Sequence, residues 1–170
     1  MLESRGFNLF MAFVCYQLLI MAFYFQYVEG LEPCPLCIFQ RVAVFALGLW
    51  FLSHGIHKPL AGSRWHLIYN FGALLTVLIG GGISARHSYL QSLPEGEVPA
   101  CGPSLDYLVD MLPFMELLDV VLKGSGECAK VSWTMMGLSM PVLMLLFFVG
   151  CAGILIWRIF RDFKPSRNVF

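Results

Sequence analysis

Cys34-Pro35-Leu36-Cys37 sets two thiols three residues apart, and Arg41 follows the second by four. Thiols at this spacing interconvert with a disulfide, so the segment is equipped to take up or release an electron pair. Two more cysteines, Cys101 and Cys128, stand far along the chain, and Cys15 and Cys151 complete the six. If a helix starts near Cys37, its unpaired N–H groups and positive dipole end favour a thiolate there. Arg41, one turn on, adds a formal positive charge to the same face. Cys37 is therefore the expected reactive sulfur, with Arg41 as its electrostatic support.

The elements that must position these groups are apolar. Of 170 residues 58% are hydrophobic and only 13% charged, well outside the composition of a soluble domain. Four runs approach the roughly 20 residues needed to cross a bilayer. They cover 7–28, 38–57, 65–85 and 137–157, joined on one side by loops over 29–37 and 86–136. Four segments of helical length cannot close a barrel, so the expected fold is an all-α membrane protein, a four-helix bundle forming one integral membrane domain over 1–170. The first run is too long for a signal-peptide core and no small-x-small cleavage site follows it, so it reads as an uncleaved span.

An even number of spans puts both termini on one side. Arg5, Lys58, Arg64, Arg158, Arg161, Lys164 and Arg167 fall on that side, against Arg41, Arg86, Lys123 and Lys130 on the other. The side rich in basic residues is expected to be cytoplasmic. Both loops that carry the paired cysteines then face an oxidising compartment. A net charge of zero, with no basic stripe, excludes nucleic acid as a partner.

Cys15 and Cys151 lie inside the first and fourth runs and read as small hydrophobes. The four external cysteines admit a structural disulfide framework, a zinc site or a redox relay. Their spacing does not give the paired knuckles of a four-thiolate zinc site, and no histidine neighbours Cys101 or Cys128 in sequence, so no metal is expected. A bridge across a three-residue step closes almost no loop and stabilises little by chain entropy, which favours chemistry over bracing for Cys34 and Cys37.

Within the second loop, Phe114, Leu117, Leu118, Val121 and Leu122 recur at helical spacing, which predicts a short amphipathic helix lying in the membrane surface. Its polar face is mostly acidic, so apolar burial rather than attraction to anionic lipid must anchor it. Gly80, Gly81 and Gly82 permit close helix contact. Pro141 suits the first turn of the fourth helix. His54, His57 and His66 read as interfacial residues around the cytoplasmic loop.

Three stretches, in this order between four spans, carry a family resemblance. They are Cys-Pro-Leu-Cys-Ile-Phe-Gln-Arg opening the second span, Arg-His-Ser-Tyr-Leu-Gln after the third, and Ser-Gly-Glu-Cys-Ala with Gly-Leu-Ser-Met-Pro leading into the fourth. Together they resemble the bacterial disulfide bond formation protein B (DsbB) family over nearly the whole chain. The resemblance implies an inner-membrane enzyme that reoxidises a periplasmic DsbA-like thioredoxin-fold thiol oxidase and passes two electrons to a quinone, ubiquinone or menaquinone. It further implies that Cys101 receives the partner's attack, that Cys128 then reaches Cys34, and that Cys37 is left facing the quinone. Arg41, His87 and Met140 match the family's quinone-contacting positions. By themselves the residues also admit a membrane thiol reductase resembling the vitamin K epoxide reductase family. A non-catalytic membrane scaffold braced by disulfides is the third possibility.

Overall fold

The computed structural model describes residues 5–60, 63–94, 111, 113, 115–116, 126–129, 133–135 and 137–163. Three long helices come first: α1 (Arg5–Tyr27), α2 (Pro35–His57) and α3 (Arg64–Ser92). A short helix α4 (Gly126–Ala129) and a two-stranded hairpin of β1 (Thr134–Met135) and β2 (Leu138–Ser139) then lead into α5 (Met140–Phe163). α1, α2, α3 and the stretch Met140–Arg161 of α5 are each long and apolar enough to span a membrane, with mean hydropathy of 1.6 to 2.4. The protein is thus a multi-pass, four-helix membrane protein. The amphipathic helix expected around 114–122 lies almost entirely outside the described residues.

α1 packs on α2, α2 on α3, and α3 on α5. The sequence period explains the arrangement. Along α3 the buried positions from 66 to 87 are His66, Asn70, Ala73, Val77, Gly80, Ser84 and His87, alternating steps of four and three, and Leu90 follows after a further three. That is the seam of helices packing ridges into grooves at a small crossing angle. Phe148, Cys151, Leu155 and Arg158 repeat the pattern on α5. Outside the seam the helices expose large apolar side chains such as Phe13, Ile20, Leu75 and Val149, each more than half exposed, as befits surfaces solvated by lipid. Hydroxyls inside the spans bond back to the preceding turn: Thr76 Oγ1 donates to the Gly72 carbonyl and Ser84 Oγ to that of Gly80, both at 2.9 Å.

Local signals set the ends. Pro35 occupies the first turn of α2 behind Cys34 as N-cap, where its missing N–H costs no hydrogen bond. Ser63 caps α3, its Oγ accepting from the His66 N–H at 3.2 Å. α3 continues to Ser92, so Arg86 and His87 lie on a helix rather than in the loop expected from 86 onward. At the other end of the chain, Gly137 has φ of 81° and turns the hairpin in register Thr134↔Ser139 and Met135↔Leu138. This conformation suits glycine, and the last helix accordingly starts at Met140 rather than at 137.

The end of the bundle away from Cys34 holds a buried polar cluster, which corrects two sequence expectations. His54 and His66, read as interfacial, are buried, with His54 Nε2 and His66 Nδ1 3.0 Å apart. Arg158, counted among the loop charges, is fully buried in α5. It donates to Asn8 Oδ1 of α1 at 2.9 Å and lies 4.9 Å over the Phe7 ring. Both expectations rested on position near a predicted helix end. The four-three seam places these residues inside. Cys15 and Cys151 are buried in the apolar core, as expected of small hydrophobes.

Of the three consecutive glycines, one is tightly constrained. A Cβ on Gly80 would stand 2.5 Å from the Phe148 ring and 3.0 Å from Ala43 Cβ, whereas one on Gly82 would meet nothing within 4 Å. Gly80→Ala should therefore destabilise the bundle by about 1–3 kcal/mol through overpacking, while Gly82→Ala should change it by less than about 0.5 kcal/mol. Thermal unfolding of both variants in detergent checks this, and equal stability of the two would refute the close contact.

Candidate functional site

The start of α2, the end of α3, the end of α1 and the start of α5 converge at one end of the bundle. Cys34, as N-cap, and Cys37, three residues into the helix, bring their sulfurs to 3.4 Å. Both are thiols. A three-residue step across a helix start does this because the N-cap side chain stands over the first turn, level with the third helical residue.

His87 joins them from α3. It is buried, with Nε2 3.1 Å from the Cys128 carbonyl oxygen and 3.7 Å from Cys34 Sγ. Its Nδ1 is 4.0 Å from Cys37 Sγ and 3.4 Å from Gln40 Nε2. A carbonyl oxygen only accepts and an amide NH2 only donates, so Nε2 carries the proton and Nδ1 the lone pair. Cys128, on α4, is buried with Cys34, Leu36 and Leu90 in a small cluster separate from the main core. The sequence argument that no histidine neighbours Cys128 does not survive in space, because α3 delivers His87 from 41 residues away.

Arg41 sits one turn beyond Cys37. Its Nη2 donates to the Ala22 carbonyl at 3.1 Å and its Nη1 to Gln26 Oε1, and the guanidinium lies 5.4 Å from the centre of the Phe23 ring. α1 thus fixes the group in place, and an arginine with five donors keeps others for a ligand. Arg41, Cys34, Cys37 and His87 all line one cavity of about 210 Å³. Leu18, Leu19, Phe25, Val44 and Met144 make it largely apolar, and Met140 and Pro141 at the start of α5 form part of its wall. Trp133 closes one side against Phe25, with ring centres 5.0 Å apart.

Six of the seven predicted site residues therefore meet at one place. Cys101 lies outside the described residues. Reading the sequence missed Gln26, Gln40, Gln91 and Trp133. Gln40 and Gln91 carried a signal, since they stand three residues after Cys37 and four after His87 and so share their helix faces. Gln91 Oε1 is buried in the cavity wall with no hydrogen-bond partner among the described residues.

A sequence-family model described as "Disulfide bond formation protein DsbB" matches residues 4–158. The chain belongs to the DsbB family. A disulfide bond formation protein B of Nitrosococcus oceani is 46% identical over 150 residues, 88% of this chain and 87% of the relative. One from Acinetobacter baumannii is 45% identical over 147 residues, covering 86% and 85%. One from Methylococcus capsulatus is 47% identical over 137 residues, covering 80% and 82%. Membership of the DsbB family makes this a membrane disulfide-generating oxidoreductase acting in a disulfide pathway.

The thiols of this DsbB family member differ in access. Cys37 is partly exposed toward the cavity, whereas Cys34, Cys128, Cys15 and Cys151 are buried. With the reduced protein, a membrane-permeant maleimide should modify Cys37 about tenfold faster than Cys34 or Cys128, and should reach Cys15 and Cys151 only on unfolding. A time course mapped by peptide mass spectrometry checks the order. Equal rates at Cys34 and Cys37 would contradict it.

Proposed function

We propose that the chain is a protein-dithiol:quinone oxidoreductase. It takes two electrons from a periplasmic DsbA-like thioredoxin-fold thiol oxidase and delivers them to a membrane quinone, ubiquinone or menaquinone. The observation that carries this reading is the 3.4 Å Cys34–Cys37 dithiol, with His87 and Cys128 packed against it, beside an apolar cavity that Arg41 enters. The membrane is the bacterial inner membrane, with the redox end periplasmic. Arg5, Lys58, Arg64 and Arg161 mark the opposite, cytoplasmic end.

The cavity fits a quinone head. An apolar cavity of about 150 Å³ accommodates benzene, so 210 Å³ has room for the carbonyl-bearing ring of either quinone. Arg41 supplies a fixed donor for a carbonyl. Gln91 Oε1 supplies a buried acceptor, whose missing partner costs on the order of 1–3 kcal/mol and which a ring hydroxyl would satisfy. When bound, a quinone supplies the two-electron, two-proton sink that empties the dithiol. A DsbA-like oxidase has a potential of about −120 mV, and each 30 mV is about 1.4 kcal/mol for two electrons, so only a more oxidising acceptor drains it.

The thiol steps are exchanges. A thiolate of the partner attacks Cys101 in a Cys101–Cys128 disulfide, bonding the partner to Cys101 and leaving the electron pair on Cys128. The Cys128 thiolate attacks Cys34, breaking the Cys34–Cys37 bond and leaving Cys37 as thiolate. The partner's second thiol then displaces Cys101, and Cys101 recovers Cys128 by releasing Cys34. The electron pair now rests on the Cys34–Cys37 dithiol. Cys37 is left already deprotonated, and His87, with Nε2–H held by the Cys128 carbonyl, presents its Nδ1 lone pair toward that sulfur, where it can take the proton whenever Cys37 is in its thiol form. Met140 contributes an apolar, polarisable contact to the cavity wall.

Two variants test this division of labour. Cys101→Ala should abolish oxidation of the partner while a small dithiol donor still drives quinone reduction. Arg41→Ala should lower quinone-dependent kcat/KM roughly 10- to 100-fold, the loss expected for one charge-assisted hydrogen bond, and leave the mixed disulfide at Cys101 able to form. Arg41→Lys should recover only part of that loss, because it keeps the charge without the planar fork. Wild-type quinone kinetics in Arg41→Ala would overturn the assignment.

A further inference from the structure

We propose that the reduced protein binds one thiophilic divalent cation, with Zn²⁺ as the reference ion, between Cys34, Cys37, Cys128 and one ring nitrogen of His87. Ligand atoms of Cys34, His87 and Cys128 all lie within 4.8 Å of one another, and all three residues are buried. Cys37 Sγ stands 3.4 Å from Cys34 Sγ and 4.0 Å from His87 Nδ1. A tetrahedral shell with Zn–S of about 2.3 Å and Zn–N of about 2.0–2.1 Å has edges of roughly 3.5–3.8 Å. With Nδ1 as the ligating nitrogen, the Cys34–Cys37 and Cys37–His87 edges are therefore within roughly 0.5 Å of that shell, and Cys34 Sγ stands 3.7 Å from the other ring nitrogen, Nε2.

Two features beyond proximity support the assignment. The Cys128 carbonyl accepts from His87 Nε2, which fixes the tautomer and leaves Nδ1 as the ligating nitrogen, a position the cation takes over from the Gln40 amide that approaches it at 3.4 Å. A metal-bound imidazole characteristically has such a partner on its other nitrogen. The donor set is also sulfur-rich and drawn from three helices, α2, α3 and α4, which selects a soft or borderline cation over Mg²⁺ or Ca²⁺. No electrons move. Each ligating thiol gives up one proton, and imidazole binds neutral. Any disulfide that includes one of these sulfurs dismantles the site, so only the reduced protein binds. If the proposed relay holds, the ion occupies three of its four sulfurs and stops turnover.

The test uses the full-length protein in detergent, reduced with a phosphine that is then removed, and titrated anaerobically with Co²⁺. The expected result is one equivalent bound, with intense visible d–d bands of tetrahedral Co²⁺ and near-ultraviolet sulfur-to-cobalt charge transfer. Zn²⁺ should displace it, with release of protons. His87→Ala and Cys128→Ser should each weaken binding by more than the roughly 10- to 100-fold typical of losing a second-shell partner. The double variant Cys15→Ala with Cys151→Ala should bind as wild type, and diamide-oxidised protein should not bind. If His87→Ala fails to fold, Cys128→Ser decides. Unchanged affinity in Cys128→Ser, a sulfur-free octahedral spectrum, or equal binding by the oxidised protein would overturn the site. These are binding measurements, so a negative result leaves the electron-transfer reading standing, and loss of quinone turnover in untreated protein leaves the metal site standing.

Discussion

In hydrocarbon, a backbone N–H or C=O without a partner costs several kcal/mol, and the whole design follows from that constraint. The chain satisfies it with four helices, whose middle thirds have almost nothing polar to offer. Chemistry must therefore gather where helices start and stop. A helix start also leaves N–H groups unpaired, so a thiol placed there meets the positive end of the helix dipole and the cavity together. Cys34 and Cys37 occupy that position on α2, with Pro35 removing one orphan donor between them.

The two polar ends of the bundle do different work. At the far end Arg158 ties α5 to α1, its guanidinium bonded to Asn8 and lying over Phe7, and His54 meets His66 between α2 and α3. Removing one partner of a buried charge is costly, so the Arg158–Asn8 hydrogen bond constrains how α5 sits against α1. At the redox end no comparable clamp binds α5 to α1 among the described residues. There Arg41 is held by α1 instead, which leaves the space between α1, α2 and α5 open as the cavity.

Much of this was legible in the chain. Four apolar runs, the Cys34–Cys37 step and the Arg41 offset are local patterns, and the helices and the thiol pair follow from them directly. What stayed hidden was three-dimensional or depended on register. His87 touches Cys128 only because α3 runs past its apolar stretch to Ser92, and a hydropathy window ends where polar residues begin. The same blindness put Arg158, His54 and His66 at the interface, although the four-three spacing of His66, Asn70, Ala73, Val77, Gly80, Ser84 and His87 was present in the sequence. Gln26 carried only the weak mark of a polar residue in an apolar run. The hairpin at 134–139 hinges on Gly137, whose left-handed φ leaves no trace beyond the glycine itself.

The pairing of Trp133 with Phe25 gives the protein a built-in optical probe. Trp50, Trp65 and Trp157 belong to the half of the bundle that holds Arg158, with Trp50 bonded to Thr76 and Trp65 beside His57. Trp133 alone of the four lines the cavity. Its emission is therefore spectrally exposed to whatever absorbs or transfers energy there, while the other three indoles provide an internal baseline in the same molecule.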